Sequence, residues 1–270
     1  MGAGLLAVGR PYRGVAALPA SSRGSDPIGA ERQVPDSVPH LPFLELLRFW
    51  GGGVCHQLPE RSLQIAGVAL PLCARCTGTY LGATIGLLAV LLGGRTRASQ
   101  FPRWPALVAF GVFFVVWAGD GINSYLALFP GLPHLYEPRN ALRLLTGTLE
   151  GLALSLILWP VAAATFWRYP QAKRVISLRG LAVALAAAGL AVVAILRRSQ
   201  ALLYGVALLT TLSLLGLFAL LNGMVLTVAL HREGTVQTGR EAVRLFAVAL
   251  LLAMAELAAL SLLRHWILGP

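Results

Sequence analysis

The sequence predicts an all-α polytopic membrane bundle, and two observations carry that expectation. Of the 270 residues, 57% are hydrophobic and only 12% are charged, with a mean hydropathy of +0.72, whereas soluble domains carry about twice that charge. The apolar residues also gather into long runs separated by short, arginine-bearing breaks, and runs of about 20 apolar residues are what a helix needs to cross a bilayer.

Residues 1–40 are rich in Gly, Pro, Ser and Arg without apolar periodicity and are read as a disordered tail with no secretory signal. A second segment, 41–76, begins with "LPFLELLRFW", expected as a short amphipathic helix at the bilayer interface. After the Gly51–Gly53 break it continues as a Cys/His loop or hairpin that holds Cys55, His56, Cys73 and Cys76. Segment 77–167 holds three expected spans, about Thr77–Gly94, Trp104–Leu128 and Leu142–Trp167, and segment 168–270 holds Leu178–Leu196, Ala201–Leu230 and Ala242–Ile267. The first is short, and "GDGINS" is expected to interrupt the second.

The net charge of +11 comes from basic residues scattered over the breaks, with no Lys/Arg block interleaved with aromatics. Membrane orientation accounts for this better than nucleic-acid binding, so lipid is the expected surroundings and nucleic acid is not an expected partner. One set of helix ends carries Arg95, Arg97, Arg103, Arg168, Lys173, Arg174, Arg179, Arg232, Arg240 and Arg244. The other set carries Arg61, Arg75, Arg139, Arg143, Arg197, Arg198 and Arg264. This bias of ten to seven predicts that the cysteine face lies outside the cytoplasm of a prokaryotic plasma membrane.

With six spans, the start of the first, the end of the second and the start of the third share one face. That arrangement collects Cys73, Cys76, Asp120, Asn123, Arg139, Asn140 and Arg143. Gly78, Gly82 and Gly86 recur every four residues, as do Gly147 and Gly151, and such stripes serve close helix packing within a chain or a homo-oligomer contact. Asn140, Arg143, Gly147 and Glu150 share one face of the third span, with Glu150 about 10 Å deeper than Arg143. A carboxylate at that depth needs a partner or a proton, and Arg143 reaching inward is one expected solution.

"CHQLPERS", "PLCARCTGTYLG", Gly119-Asp120 and "NALRLLTG" resemble the signature of an uncharacterised prokaryotic membrane-protein family, domain of unknown function family 2085, over about Trp50 to Gly151. The resemblance implies a small helical membrane protein and brings no activity with it.

From the residues themselves, the leading expectation is a metal site on Cys55, Cys73 and Cys76, since Cys-x-x-Cys lets two thiolates reach one ion. His56 is the obvious fourth ligand, with His134 or Asp120 as substitutes. Zinc suits the set, and copper or iron are alternatives. A second reading is thiol–disulfide exchange at Cys73 and Cys76, with Cys55 as the resolving partner. A third is a disulfide or structural zinc that only fastens the loop. A fourth places an anionic group, such as a lipid phosphate, among Arg61, Arg75, Arg139, Asn140 and Arg143, with Asp120 as base and His56 as acid. Asp120, Arg143 and Glu150 are the catalytic candidates, and Glu256 joins Asp120 and Glu150 if protons or cations are moved.

Overall fold

A computed structural model describes residues 42–65, 68–129, 131–197 and 199–268, so the disorder expected of 1–40 falls outside the described residues. The described chain opens with α1 (Pro42–Gly52), a 3-10 turn (Pro59–Arg61) and the antiparallel strands β1 (Ser62–Ile65) and β2 (Val68–Cys73). There follow α2 (Ala74–Leu92), β3 (Ala98–Gln100), α3 (Trp104–Leu126), α4 (Asn140–Phe166), β4 (Gln171–Arg174), α5 (Leu178–Leu196), α6 (Gln200–Ala229) and α7 (Gly239–Leu268).

Among the described residues, six helices, α2 to α7, are long and apolar enough to span a membrane. The protein is therefore an all-α polytopic bundle with its cysteines gathered ahead of and at the start of the first span. Two differences from the sequence expectation bear on the cysteine face. The helix α2 starts at Ala74 instead of Thr77, which puts Cys73 at its N-cap and Cys76 in its first turn. The helix α3 runs without a break through Gly119–Ser124, because Asp120, Asn123 and Ser124 are buried against partners that satisfy them inside a helix.

At the centre lies the α2–α4 pair, and the glycines account for it. A Cβ at Gly78 would strike the Leu144 carbonyl, and one at Gly82 the Thr148 carbonyl. From the other side, Cβ atoms at Gly147 and Gly151 would strike the carbonyls of Arg75 and Thr79. These are backbone atoms that cannot rotate away, so the reciprocal stripes let the two backbones meet. This corrects the oligomer expectation: Gly78, Gly82 and Gly86 are buried against α4 of the same chain and offer no surface to a second copy.

Elsewhere the packing follows the apolar faces. Leu81 and Leu144 of the central pair meet Leu44 and Leu47 of α1, Leu63 and Leu70 of the hairpin, and Val206 of α6. Deeper, Val90, Phe110, Leu152, Leu156 and Leu181 join α2, α3, α4 and α5. Val108, Val112 and Val115 on α3 face outward, as expected of a helix whose solvent is lipid. At the end remote from the cysteines, β3 and β4 pair in parallel and the guanidinium of Arg97 lies 4.2 Å from the Trp167 ring centre.

Candidate metal centre and polar face

The cysteine loop is shaped by close approach. At Gly51 a Cβ would lie 2.7 Å from Leu72 Cδ2, at Gly52 2.9 Å from Ser261 Oγ, and at Gly53 2.9 Å from the Leu257 carbonyl. The triple glycine thus seats the end of α1 against β2 and α7, and the chain then turns, with the Cys55 N–H donating to the Gly51 carbonyl at 3.0 Å. From the other direction, the hairpin pairs Ser62 with Cys73 and delivers Cys73 to the start of α2.

Two further side chains hold the loop. Gln57, at a positive φ of 54°, donates Nε2 to the carbonyls of Arg48 and Pro71 at 2.7 and 2.8 Å. Arg264, near the end of α7, donates to the carbonyls of Cys55 and His56 at 2.7 and 2.8 Å, and to Gln57 Oε1 at 3.1 Å. In sequence Arg264 is one more basic residue at a helix end. Its role depends on α7 returning to α1, which no local pattern encodes.

The result is a cluster in which the Sγ atoms of Cys55, Cys73 and Cys76 all lie within 4.8 Å of one another. The Cys73 N–H donates to Cys55 Sγ at 3.2 Å. All three are free thiols, Cys55 buried and the others half-buried. Leu72, Leu214, Leu217 and Leu257 are part of the apolar shell around them. The thiols of Cys55 and Cys76, directed at its sulfur, hold Cys73 far below the usual thiol range, to about 2, with the first peptide groups of α2 adding a smaller share. Sharing with Cys73, and then burial, pushes Cys55 up.

His56 does not belong to this group. Its side chain is exposed, and the loop engages it through its backbone carbonyl, because adjacent residues on a turning chain project apart. His134 pairs instead with Glu137 at 3.1 Å. Asp120 is 3% exposed and forms an ion pair with Arg75, while its Oδ1 accepts from the Tyr136 hydroxyl at 2.8 Å. Among the described residues, the group able to hold a metal is the three cysteines alone.

Beside the sulfurs lies a second polar network. Arg75 and Arg61 both reach Ser124, at its Oγ (3.2 Å) and its carbonyl (3.4 Å) respectively. Asn123 closes the loop before α4, accepting from the Leu135 N–H at 2.7 Å and donating to the Tyr136 carbonyl at 2.8 Å. Asn140 donates to the carbonyls of Glu60 and Ser62 at 3.1 and 3.3 Å, and accepts from Arg143 Nη1 at 2.8 Å. Burial, and less so the Asp120 contact, raises the Tyr136 phenol to about 12. Arg139 is exposed at the N-cap of α4, outside this network.

Arg143 does not descend to Glu150. Glu150, buried in the α2–α4 seam, accepts from Thr79 Oγ1 at 2.9 Å, since α2 presents that hydroxyl where the glycines bring the helices closest. Glu256 is exposed mid-helix on α7 and accepts from Asn222 of α6 at 2.9 Å. Glu150 and Glu256 are thus each held by a polar side chain of a neighbouring helix.

A family model described as "Predicted membrane protein (DUF2085)" matches residues 55–157, from the first cysteine to within α4. An uncharacterized protein of Methanocaldococcus jannaschii is 28% identical over 109 residues, 40% of this chain and 63% of the relative's length. An uncharacterized protein of Methanothermobacter thermautotrophicus is 33% identical over 105 residues, 38% of this chain and 83% of the relative. No solved structure matches the chain.

Proposed function

This chain belongs to the DUF2085 family of predicted membrane proteins, and on that premise we propose that it is a membrane metalloprotein in which Cys55, Cys73 and Cys76 hold one zinc ion at the extracytoplasmic face of a prokaryotic membrane. The convergence of three sulfurs to within 4.8 Å, from a loop, a strand end and a helix start, carries this reading. Tetrahedral zinc with bonds of about 2.3 Å needs sulfurs about 3.8 Å apart, a contraction within reach of small side-chain rotations. The N-terminal end of α2 and Arg75 offset the charge of three thiolates.

A zinc ion held by three thiolates has one coordination position left. Among the described residues no histidine or carboxylate reaches it, so an exogenous donor completes the set. A three-sulfur set without a fourth protein donor, under an apolar shell, also favours copper(I) as a second reading. Elemental analysis with X-ray absorption separates the two: zinc gives three sulfurs and one lighter atom, copper(I) three sulfurs alone. Purified protein without either metal, or metal content unchanged in Cys73→Ser, defeats the proposal.

The extracytoplasmic assignment rests on the arginine and lysine bias of ten to seven. It is tested by labelling a Glu137→Cys variant in whole cells with a membrane-impermeant maleimide, where labelling only after lysis reverses the orientation.

A further inference from the structure

Arg143 is a buried charge whose guanidinium is only partly satisfied among the described residues. It is 7% exposed, and the bond from Nη1 to Asn140 is the one hydrogen bond of its side chain among the described residues. Its Nε is buried and has no partner, which leaves the Nε–Nη2 edge, the edge suited to two oxygens on one centre, without an acceptor. A buried, unpaired guanidinium is costly, so an acceptor is expected.

Among the described residues, no acceptor meets that edge. Asp120 is the carboxylate nearby, but Oδ2 is taken by Arg75 and Oδ1 by Tyr136. Arg61 and Arg75 both bear on Arg143 electrostatically, repelling it, and both are anchored at Ser124. Arg75 Nε is also buried without a partner. Three guanidiniums face one carboxylate and the sulfur of Cys73, which also bears on Arg143, so positive charge is in excess. The N-terminus of α4, whose N-cap Arg139 supplies no side-chain acceptor, adds its positive end on the same side.

We propose that Arg61, Arg75 and Arg143 bind a phosphate monoester or inorganic phosphate, held by the free edge of Arg143 and admitted past the half-exposed Arg61. A phosphate anion offsets the excess positive charge, and its tetrahedral oxygens accept from several forks at once. Two sources share this chemistry: free phosphate, and the headgroup of a lipid with a terminal phosphate, since the site lies where helix ends meet the bilayer surface. Asp120 is a positioning residue here, holding Arg75. The phosphate takes no contact from the three cysteines; Arg75 is the residue it shares with the metal reading, and Arg61 and Arg143 test it separately.

The test uses the full chain. Inorganic phosphate is titrated calorimetrically into protein in zwitterionic detergent. In parallel, protein reconstituted in phosphatidylcholine with a minority of phosphatidic acid is analysed by native mass spectrometry for the retained lipid. Binding in the first arm identifies free phosphate, and binding in the second alone identifies the lipid. In either case Arg61→Gln weakens binding about tenfold or more. Arg143→Lys does the same although it keeps the charge, because the fork is lost. Arg95→Gln, at the opposite end of the bundle, leaves binding unchanged. If Arg143→Lys does not fold, Arg61→Gln decides. Failure of both probes to bind the unaltered protein overturns the proposal, as does binding of equal strength in Arg61→Gln.

Discussion

The peptide N–H of Cys73 donates to the sulfur of Cys55, 18 positions earlier in the chain, at 3.2 Å. That bond joins the start of the loop after α1 to the beginning of α2, and Cys76 completes the trio one turn on. If the trio is a metal centre, its members act as a unit. Each of Cys55→Ser, Cys73→Ser and Cys76→Ser is expected to lower metal content by at least about tenfold at equal free metal, since a hard hydroxyl replaces a soft thiolate. Metal-to-protein ratios after dialysis against a weak chelator check this.

Arg264 holds the same loop from α7, more than 200 positions away, through the carbonyls of Cys55 and His56. Arg264→Met keeps much of the apolar stem and removes these charge-assisted bonds. A loss of about 1–3 kcal/mol in stability is expected, with the three thiols becoming more reactive toward a small alkylating agent. Thermal unfolding and thiol-reaction rates measure the two effects.

Asp120 is buried and Arg75 partly exposed, so removing the carboxylate alone leaves a guanidinium with its main acceptor gone. Asp120→Asn is expected to cost about 2–4 kcal/mol, below the full figure for a wholly buried pair because water reaches Arg75. The double variant Arg75→Met with Asp120→Leu is expected to lose less than Asp120→Asn. Unfolding midpoints of the two variants decide, and a double variant that loses as much as Asp120→Asn contradicts the pairing.

Gly82 faces the Thr148 carbonyl across the α2–α4 seam with no room for a Cβ. Gly82→Leu therefore forces the helices apart along their length, at an expected cost of about 3 kcal/mol or more. Gly111→Leu, on a site that meets nothing within 4 Å, is expected to be near neutral. Comparing yields and unfolding midpoints of the two variants checks the seam.

Tyr136 has its phenol raised to about 12 by burial and by the Asp120 contact. For a group raised in the folded state, the stabilising contribution is complete below the unfolded value near 10 and disappears as pH climbs through about 12. Tyr136→Phe is expected to remove that part of the alkaline loss of stability. Unfolding midpoints at pH 9 and pH 11 are expected to converge more closely in the variant than in the parent.

The sequence by itself determined the six spans, the glycine spacing and the gathering of three thiols ahead of α2. Each of these is written in short stretches whose length and period reflect local geometry: the rise of a helix against the thickness of a bilayer, and four residues per repeat along one face. It also read Gln57, Arg264 and Thr79 as nothing special, and His56 as a ligand. Only the tertiary structure decided which polar groups meet, because that depends on how far each helix is rotated and which helix it packs against. Thr79 reaches Glu150 because reciprocal glycines close that seam. His56 turns outward because Arg264 and the triple glycine set the path of the loop. In a medium without water to accept stray hydrogen bonds, those pairings are strongly favoured, yet each is made between residues too distant in sequence for any local pattern to record it.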